Sequence, residues 1–196
     1  MDLYKEIAKK INLPYQKVKS SVELLEDQNT IPFIARYRKE LTGNLDEVQL
    51  RSIQDEFNRL TALENRRNTV LQTIAEQGNL TDELQQEILE AENLAVLEDL
   101  YLPYRPKRRT KAMIARKLGL EALAKLIVKQ LVSDEDLPTL IKPFITPDVP
   151  DQDFALSGAE DIVAEWINEH AAIRGILREK TLNFGNIDVK KKPEGE

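Results

Sequence analysis

Residues 46–76 read DEVQLRSIQDEFNRLTALENRRNTVLQTIAE, a long stretch that contains neither proline nor glycine. A helix of this length would measure about 46 Å at 1.5 Å per residue, so we predict that it is the main helix of the fold. Glu64, Arg66 and Arg67 interrupt its apolar stripe, which favours different neighbours along the helix over a regular coiled coil. The apolar residues recur every three or four positions, the spacing of one helix face: Val48, Ile53, Phe57, Leu60, Leu63, Val70, Leu71 and Ile74.

The composition extends this prediction to the whole chain. Only 7 of 196 residues are glycine, while Leu, Ala, Glu, Gln and Lys are abundant, which favours an all-α protein. We predict an elongated helical domain with long spine helices. The absence of cysteine excludes disulfides and thiolate chemistry. Because there is no apolar leader and no run of 18 apolar residues, we predict a cytoplasmic protein that has no contact with a membrane.

Three short helices are predicted before the long one. The first runs from Asp2 to about Lys10 and the second from Pro14 to about Asp27. The third begins near Pro32, with Thr30 as its cap. This order resembles a helix-turn-helix arrangement, so we assign residues 1–44 to a helix-turn-helix-like domain. In the third helix we expect Phe33, Ile34 and Tyr37 to face inward and Arg36, Arg38 and Lys39 to face outward.

A second domain is predicted over residues 45–182, followed by a polar tail at 183–196 that would be disordered. Ser157 to Glu160 has the spacing of a capping box and would open a second long helix that runs to about Lys180. Between the two long helices we expect shorter ones, of which two are capped by their first residue, a threonine: Thr81 to Ala91 and Thr110 to Gly119. The others are Asn93 to Tyr101, Glu121 to Val132, and one that opens near Ser133 to Asp136.

The charges between residues 82 and 121 are sorted by sign. The stretch from Asp82 to Asp99 carries acids and no Lys or Arg, whereas the stretch that follows carries bases and no acid before Glu121. Since the net charge of the whole chain is -6, any affinity for nucleic acid has to come from such local segregation. The basic residues are Arg105, Lys107, Arg108, Arg109, Lys111, Arg116 and Lys117.

We call residues 102–117 the basic arm. Pro103 and Pro106 lack a backbone N–H and disfavour helix, so we predict an extended conformation from Leu102 to Lys107. Tyr101 and Tyr104 place aromatic rings beside the cations, a combination that contacts phosphates and stacks on exposed bases. Two interpretations stay open: nucleic-acid contact, or a loop that packs on the rest of the chain and pairs with the preceding acidic helix.

A second basic site surrounds Tyr37 on the third helix, where Arg36, Arg38 and Lys39 are candidate nucleic-acid ligands. For this cluster we favour an architectural role in which these cations form ion pairs with neighbouring helices.

No catalytic or cofactor pattern is found in the sequence. The only histidine, His170, has no cysteine or second histidine to complete a triad or a metal site, and we expect it to be a packed or half-exposed residue of the last long helix. No phosphate-binding or dinucleotide-binding glycine pattern occurs. We therefore predict no enzymatic activity, no metal and no cofactor.

Three stretches together resemble a known family. They are IPFIARYRKE at residues 31–40 with the following TG and LDEVQL, LEDLYLPY at 97–104 with PKRRT at 106–110, and ALSGA at 155–159 with AEWI at 164–167. They are similar to the N-terminal region of the Tex family of bacterial transcription accessory proteins. The resemblance covers nearly the whole chain up to about residue 182.

The resemblance implies a cytoplasmic nucleic-acid-binding protein that acts in transcription. Members of the family resemble the core of a eukaryotic elongation factor and carry an RNase-H-like domain, helix-hairpin-helix elements and an OB-fold RNA-binding domain after the helical region. We therefore expect this chain to be an N-terminal fragment, with RNA or DNA bound mostly by the C-terminal domains and with the transcription machinery as a further partner. Our first hypothesis is a scaffold whose basic arm contacts phosphates. The alternative is a protein-interaction scaffold that binds no nucleic acid and exposes an apolar patch on its long helix.

Overall fold

The computed structural model describes residues 2–106, 109–130 and 136–190. In these ranges the chain forms twelve α-helices and two short 3₁₀ turns, and its sole β-type pairing is one isolated bridge between Thr146 and Val149. The prediction of an all-α protein is confirmed. The helices divide into two compact units, Met1–Leu94 and Ala95–Glu196, which are described separately below. The predicted boundary at residue 44 and the helix-turn-helix assignment stay predictions.

The first unit contains the long helix and the short helices on either side of it in the sequence. The long helix, α5, begins after a capping box in which Asp46 accepts from the backbone N–H of Gln49 at 2.8 Å and the Gln49 side chain accepts from the Asp46 N–H. At 30 residues it is about 45 Å long, so the sequence-based prediction is confirmed. The helices are α1 (Leu3–Ile11), α2 (Tyr15–Glu26), α3 (Ile31–Tyr37), α4 (Lys39–Thr42), α5 (Glu47–Glu76) and α6 (Asp82–Glu90).

The core of this unit forms where α1, α2 and α3 pack on the N-terminal half of α5. Leu50 and Ile53 are fully buried against this group. Farther along, α6 packs on α5 instead. The prediction that different neighbours pack along the long helix is therefore confirmed. Core residues contributed by the shorter helices include Ile7, Val18, Val22 and Ile34.

Two buried charged side chains on α5 have structural partners. Glu56 is paired with Arg59 at 2.6 Å and with Lys10 of α1 at 3.0 Å. The hydrogen bond from Arg59 is the main cause that lowers the pKa of the Glu56 carboxyl below its ordinary value. Arg67, one of the residues that interrupt the apolar stripe, donates to the carbonyls of Ile88 and Ala91 at 3.0 and 2.8 Å. The interruption is thus the place where α5 holds the end of α6.

The second unit is built around α11. Helices α8 and α9 pack along it, and their shared core contains Leu120, Leu123, Ala155 and Ile162. The helices of this unit are α7 (Leu94–Tyr101), α8 (Lys111–Lys117), α9 (Glu121–Val128), α10 (Leu137–Ile141), α11 (Gln152–Glu169) and α12 (Ala171–Phe184). The first residue of α7, Leu94, belongs to the preceding unit.

The predicted second long helix is wrong at its start. It begins at Gln152 and not after Ser157, because the Asp151 side chain accepts from the Phe154 N–H at 2.8 Å and caps it earlier. Ser157 and Glu160 lie in the helix interior and form no capping box. Gly158 is needed there for packing, since a Cβ atom at this position would lie 2.5 Å from Leu120 Cδ1.

The same prediction is wrong at its end. The helix breaks at His170, whose backbone is extended, and α12 then continues as far as Phe184. Arg174 of α12 donates to the Asn168 carbonyl at 3.4 Å and so satisfies a carbonyl in the last turn of α11.

Other helix ends also differ from the predictions. Helix α9 ends at Val128 and not at Val132, because Gln130 adopts a left-handed backbone with φ of 51°. The expected helix start at Ser133 lies outside the described residues. Thr30 precedes α3 as predicted, but its side chain makes no capping hydrogen bond.

Candidate nucleic-acid interface

The basic arm begins as a compact turn. Leu102–Tyr104 forms a 3₁₀ turn with Pro103 in its first positions, so the prediction of extended backbone from Leu102 is wrong for these three residues. A proline is tolerated there because the first N–H groups of a helical turn have no intrahelical partner. The backbone becomes extended at Arg105. Lys107 and Arg108 lie outside the described residues.

The helix before the arm, α7, is tied to α12 of the second unit through Asp99. Asp99 is 4% exposed and pairs with two arginines of α12, Arg174 at 2.7 Å and Arg178. Burial raises the pKa of the Asp99 carboxyl, but the hydrogen bonds from both guanidinium groups outweigh it and leave the pKa lowered. Asp99 is therefore a structural anion for α12. Tyr101, whose ring was predicted to lie beside the arm cations, is buried.

One predicted arm residue is held by an acid. Arg116 of α8 pairs with Glu165 of α11 at 2.5 Å, and Thr110 Oγ1 lies 3.2 Å from the other Glu165 oxygen. Thr110 also caps α8 by accepting from the Met113 N–H at 3.1 Å, as predicted. These contacts fix α8 on α11, so the structure gives Arg116 a packing role and not the position of a free phosphate ligand.

Four predicted cations remain available on the arm. Arg105, Arg109, Lys111 and Lys117 are all exposed, and no ion pair to them is found within the described ranges. They lie between the end of the 3₁₀ turn and the end of α8. Tyr104 is half-buried and has an interaction partner of its own.

At the second basic site, around Tyr37, the structure differs from the predicted orientation of the aromatic residues. Ile34 is buried as expected, but Phe33 and Tyr37 are 37% and 65% exposed, so their inward assignment is wrong. Their ring centroids lie 5.3 Å apart, and the Arg38 guanidinium carbon lies 5.6 Å from the Phe33 centroid. We call Phe33, Tyr37 and the three cations Arg36, Arg38 and Lys39 the α3 cluster.

The cations of the α3 cluster were expected to form ion pairs with neighbouring helices. Among the residues that the structure describes, no carboxylate pairs with Arg36, Arg38 or Lys39, and all three are exposed. The α3 cluster is therefore an exposed group of aromatic and cationic side chains.

Sequence reasoning missed Phe33 and Tyr37 as surface residues, although helix geometry contained the signal. Helix α3 buries Ile31, Ile34 and Ala35, which have the spacing of one face. At about 100° per residue, Phe33 and Tyr37 lie about 200° and 240° around the helix from Ile31. In so short a helix, Phe33 and Tyr37 cannot face the core together with the three buried residues.

The described residues contain no group of three or more His, Asp or Glu side chains placed to hold a metal ion. His170 lies exposed at the junction of α11 and α12, so the expectation of a packed or half-exposed helix residue is wrong. No helix in the described part of the chain is long and apolar enough to cross a membrane.

Comparison with known proteins places these features in a family. A family model described as "Tex-like protein N-terminal domain" matches residues 1–75. The chain is 40% identical over 200 residues, and over its whole length, to the "Transcriptional accessory protein Tex" of Neisseria gonorrhoeae. The chain belongs to the Tex family. It is also 46% identical over 187 residues, 94% of the chain, to "Protein tex" of Bordetella pertussis.

The chain covers only part of these Tex proteins. It spans 26% of the length of the gonococcal relative and 23% of the Bordetella relative. A human protein named "S1 RNA-binding domain-containing protein 1" is 31% identical over 167 residues, which are 85% of this chain and 17% of that protein. The Tex-like domain match includes the α3 cluster, and the matches to both Tex proteins extend over most or all of the second unit.

Proposed function

We propose that this chain is a helical nucleic-acid-binding part of a transcription accessory protein, and that the basic arm contacts the phosphate backbone. The observation that carries the proposal is the group of four exposed arm cations for which no acidic partner is found in the described residues. An unpaired exposed cation is free to replace a counterion on a phosphate, and release of that counterion drives binding without regard to base sequence. Arg116 is left out of the contact set because Glu165 holds it.

The helices around the arm support this role mechanically. Helix α8 is capped by Thr110 and fastened to α11 through Arg116, so Lys111 and Lys117 project from a fixed element. Side chains on a fixed element lose less conformational entropy on binding than those on a mobile loop. The names of the relatives agree with a role in transcription and with RNA as a ligand.

The same proposal covers the partners, compartment and chemistry of the chain. We propose RNA or DNA as the ligand, the transcription machinery as a further partner, the cytoplasm as the location, and no catalytic role. The alternative scaffold function predicted an apolar patch on the long helix. Along α5, every residue of which is described, Val48 is the only large apolar side chain in the exposed class, so that patch is not found.

A charge-matched pair of variants tests the proposal. Arg105, Arg109, Lys111 and Lys117 are changed to alanine in one protein. In the control, four exposed lysines that are not part of the arm, Lys5, Lys9, Lys129 and Lys180, are changed to alanine. Both proteins lose the same formal charge, and their binding to labelled single-stranded RNA and duplex DNA is followed by fluorescence anisotropy at fixed salt.

We expect the arm variant to bind both nucleic acids more weakly than the control variant. Equal weakening in the two proteins would mean that only net charge matters and would reject the arm as the contact.

A further inference from the structure

The α3 cluster contains two aromatic rings that the fold does not use as core. Helix α3 is anchored through Ile31, Ile34 and Ala35, all buried, while Tyr37 keeps 65% of its surface in contact with solvent. Phe33, one helical turn earlier, lies beside it with an interplanar angle of 44°. The two rings therefore form a small platform on a backbone that is held in place.

The charge around this platform is positive. Between Ile31 and Asn44 the sequence contains three bases, Arg36, Arg38 and Lys39, and one acid, Glu40. Arg38 lies over the Phe33 ring at a distance suited to a cation–π contact, which restrains its guanidinium beside the platform. No ion pair to the three bases is found in the described residues.

A planar, anionic ligand matches this combination. Aromatic side chains stack on unpaired bases of single-stranded nucleic acids, and neighbouring cations bind the phosphates that link those bases. A duplex offers its phosphates but keeps its bases stacked on one another. We propose that Tyr37, supported by Phe33 and flanked by Arg36, Arg38 and Lys39, stacks on an unpaired base of a single-stranded nucleic acid.

This inference shares only its class of ligand with the function proposed above. The α3 cluster lies in the first unit and the basic arm in the second, so the two surfaces can be changed by separate substitutions. The cluster adds a preference that the arm cannot supply, since phosphate contacts alone do not distinguish single strands with bases from strands without them.

The test uses short single-stranded RNA and DNA with 2-aminopurine as a stacking reporter, bound to the whole chain. Tyr37→Leu should weaken binding at least about fivefold and should abolish quenching of the reporter, since stacking contributes about 1–3 kcal/mol per base. Tyr37→Phe keeps the ring and should behave like the unchanged protein. Val48→Ala is the control, because Val48 is 73% exposed and its truncation also removes exposed apolar surface.

An abasic strand of the same length separates stacking from charge. We expect it to bind as weakly to the unchanged protein as the normal strand binds to Tyr37→Leu. The proposal is overturned if the abasic strand binds as tightly as the normal one, or if Tyr37→Leu leaves affinity unchanged. A Tyr37→Leu protein that keeps its oligonucleotide affinity but loses affinity for an acidic, tyrosine-rich peptide would assign the cluster to a protein partner instead.

The arm variant separates failure of the stacking proposal from failure of the proposed phosphate contact by the basic arm. If Tyr37→Leu weakens nucleic-acid binding and the arm variant does not, the α3 cluster is confirmed as a contact and the arm is rejected. If only the arm variant weakens binding, the arm is confirmed and the cluster is rejected. If reporter quenching persists in the arm variant and is lost only in Tyr37→Leu, stacking at the α3 cluster is independent of the arm.

Discussion

Replacing Arg67 by methionine should destabilise the first unit strongly. The guanidinium is 5% exposed and donates to the carbonyls of Ile88 and Ala91, and it also pairs with Glu64 at 2.5 Å. Methionine fills most of the space of the arginine stem but donates nothing, so two backbone carbonyls lose their charged donor.

The magnitude follows from the number of lost bonds. Hydrogen bonds to a charged group contribute about 1.5–3 kcal/mol each, and two buried acceptors are left without one. The Glu64 pair adds little, because Glu64 is about one-third exposed and water screens it. We expect a loss of about 3–5 kcal/mol in the free energy of unfolding.

Urea unfolding followed by circular dichroism measures this loss. Arg51→Met is the matched control, because Arg51 lies on the same helix but is exposed, and its replacement should change stability by less than about 0.5 kcal/mol. Equal unfolding midpoints for the two variants would refute the reasoning that Arg67 holds the end of α6.

Two further predictions concern the second unit. Asp99→Asn should release α12, seen as faster amide hydrogen exchange in that helix, because Arg174 and Arg178 lose their shared anion. Since the pKa of Asp99 is lowered in the fold, the stabilising contribution of its carboxylate is complete above the ordinary pKa of about 3.9 and is lost as the pH falls through the lowered value. The difference in stability between the unchanged protein and Asp99→Asn should therefore shrink in that acid range, and a difference that does not shrink would contradict this prediction. Gly158→Ala should lower the free energy of unfolding by about 1 kcal/mol, since overpacking against Leu120 outweighs the gain in helix propensity. Gly175→Ala should raise it by up to about 1 kcal/mol, because no atom lies within 4 Å of the added Cβ. Thermal melts of the two glycine variants compare them directly, and shifts of the same sign would count against the packing argument.

Local signals in the sequence predicted most helix positions. The long helix was predicted correctly because its apolar residues keep helical spacing and neither proline nor glycine interrupts residues 46–76. Thr81 and Thr110 were likewise identified as caps from their immediate neighbours. Such signals need no knowledge of distant contacts.

Predictions failed where a distant partner decides the structure. The break at His170 involves neither proline nor glycine, and α12 is held by Asp99, 75 residues away from Arg174 along the chain. Arg67 was read only as an interruption because its acceptors lie on another helix. The start of α11 was missed for a different reason: the capping-box spacing of Ser157 to Glu160 was taken as the helix start, whereas the Asp151 side chain caps the helix earlier in the chain.

At the candidate sites, too, the sequence identified local features but not the contacts made with distant residues. Charge sorting located the basic arm, but only the structure shows that Glu165 holds Arg116 and leaves the neighbouring lysines exposed. In the α3 cluster the cations were found from sequence, whereas the exposure of Phe33 and Tyr37 needed the observed core face of α3.

The salt dependence of binding tests the central claim, phosphate contact by the basic arm, most directly. The dissociation constant for single-stranded RNA is measured over a series of salt concentrations for the unchanged chain, the arm variant and its charge-matched control. Each lost phosphate contact should lower the slope of log affinity against log salt by about 0.7, so the arm variant should lose about 3 from the slope while the control retains it. An unchanged slope in the arm variant would contradict the account.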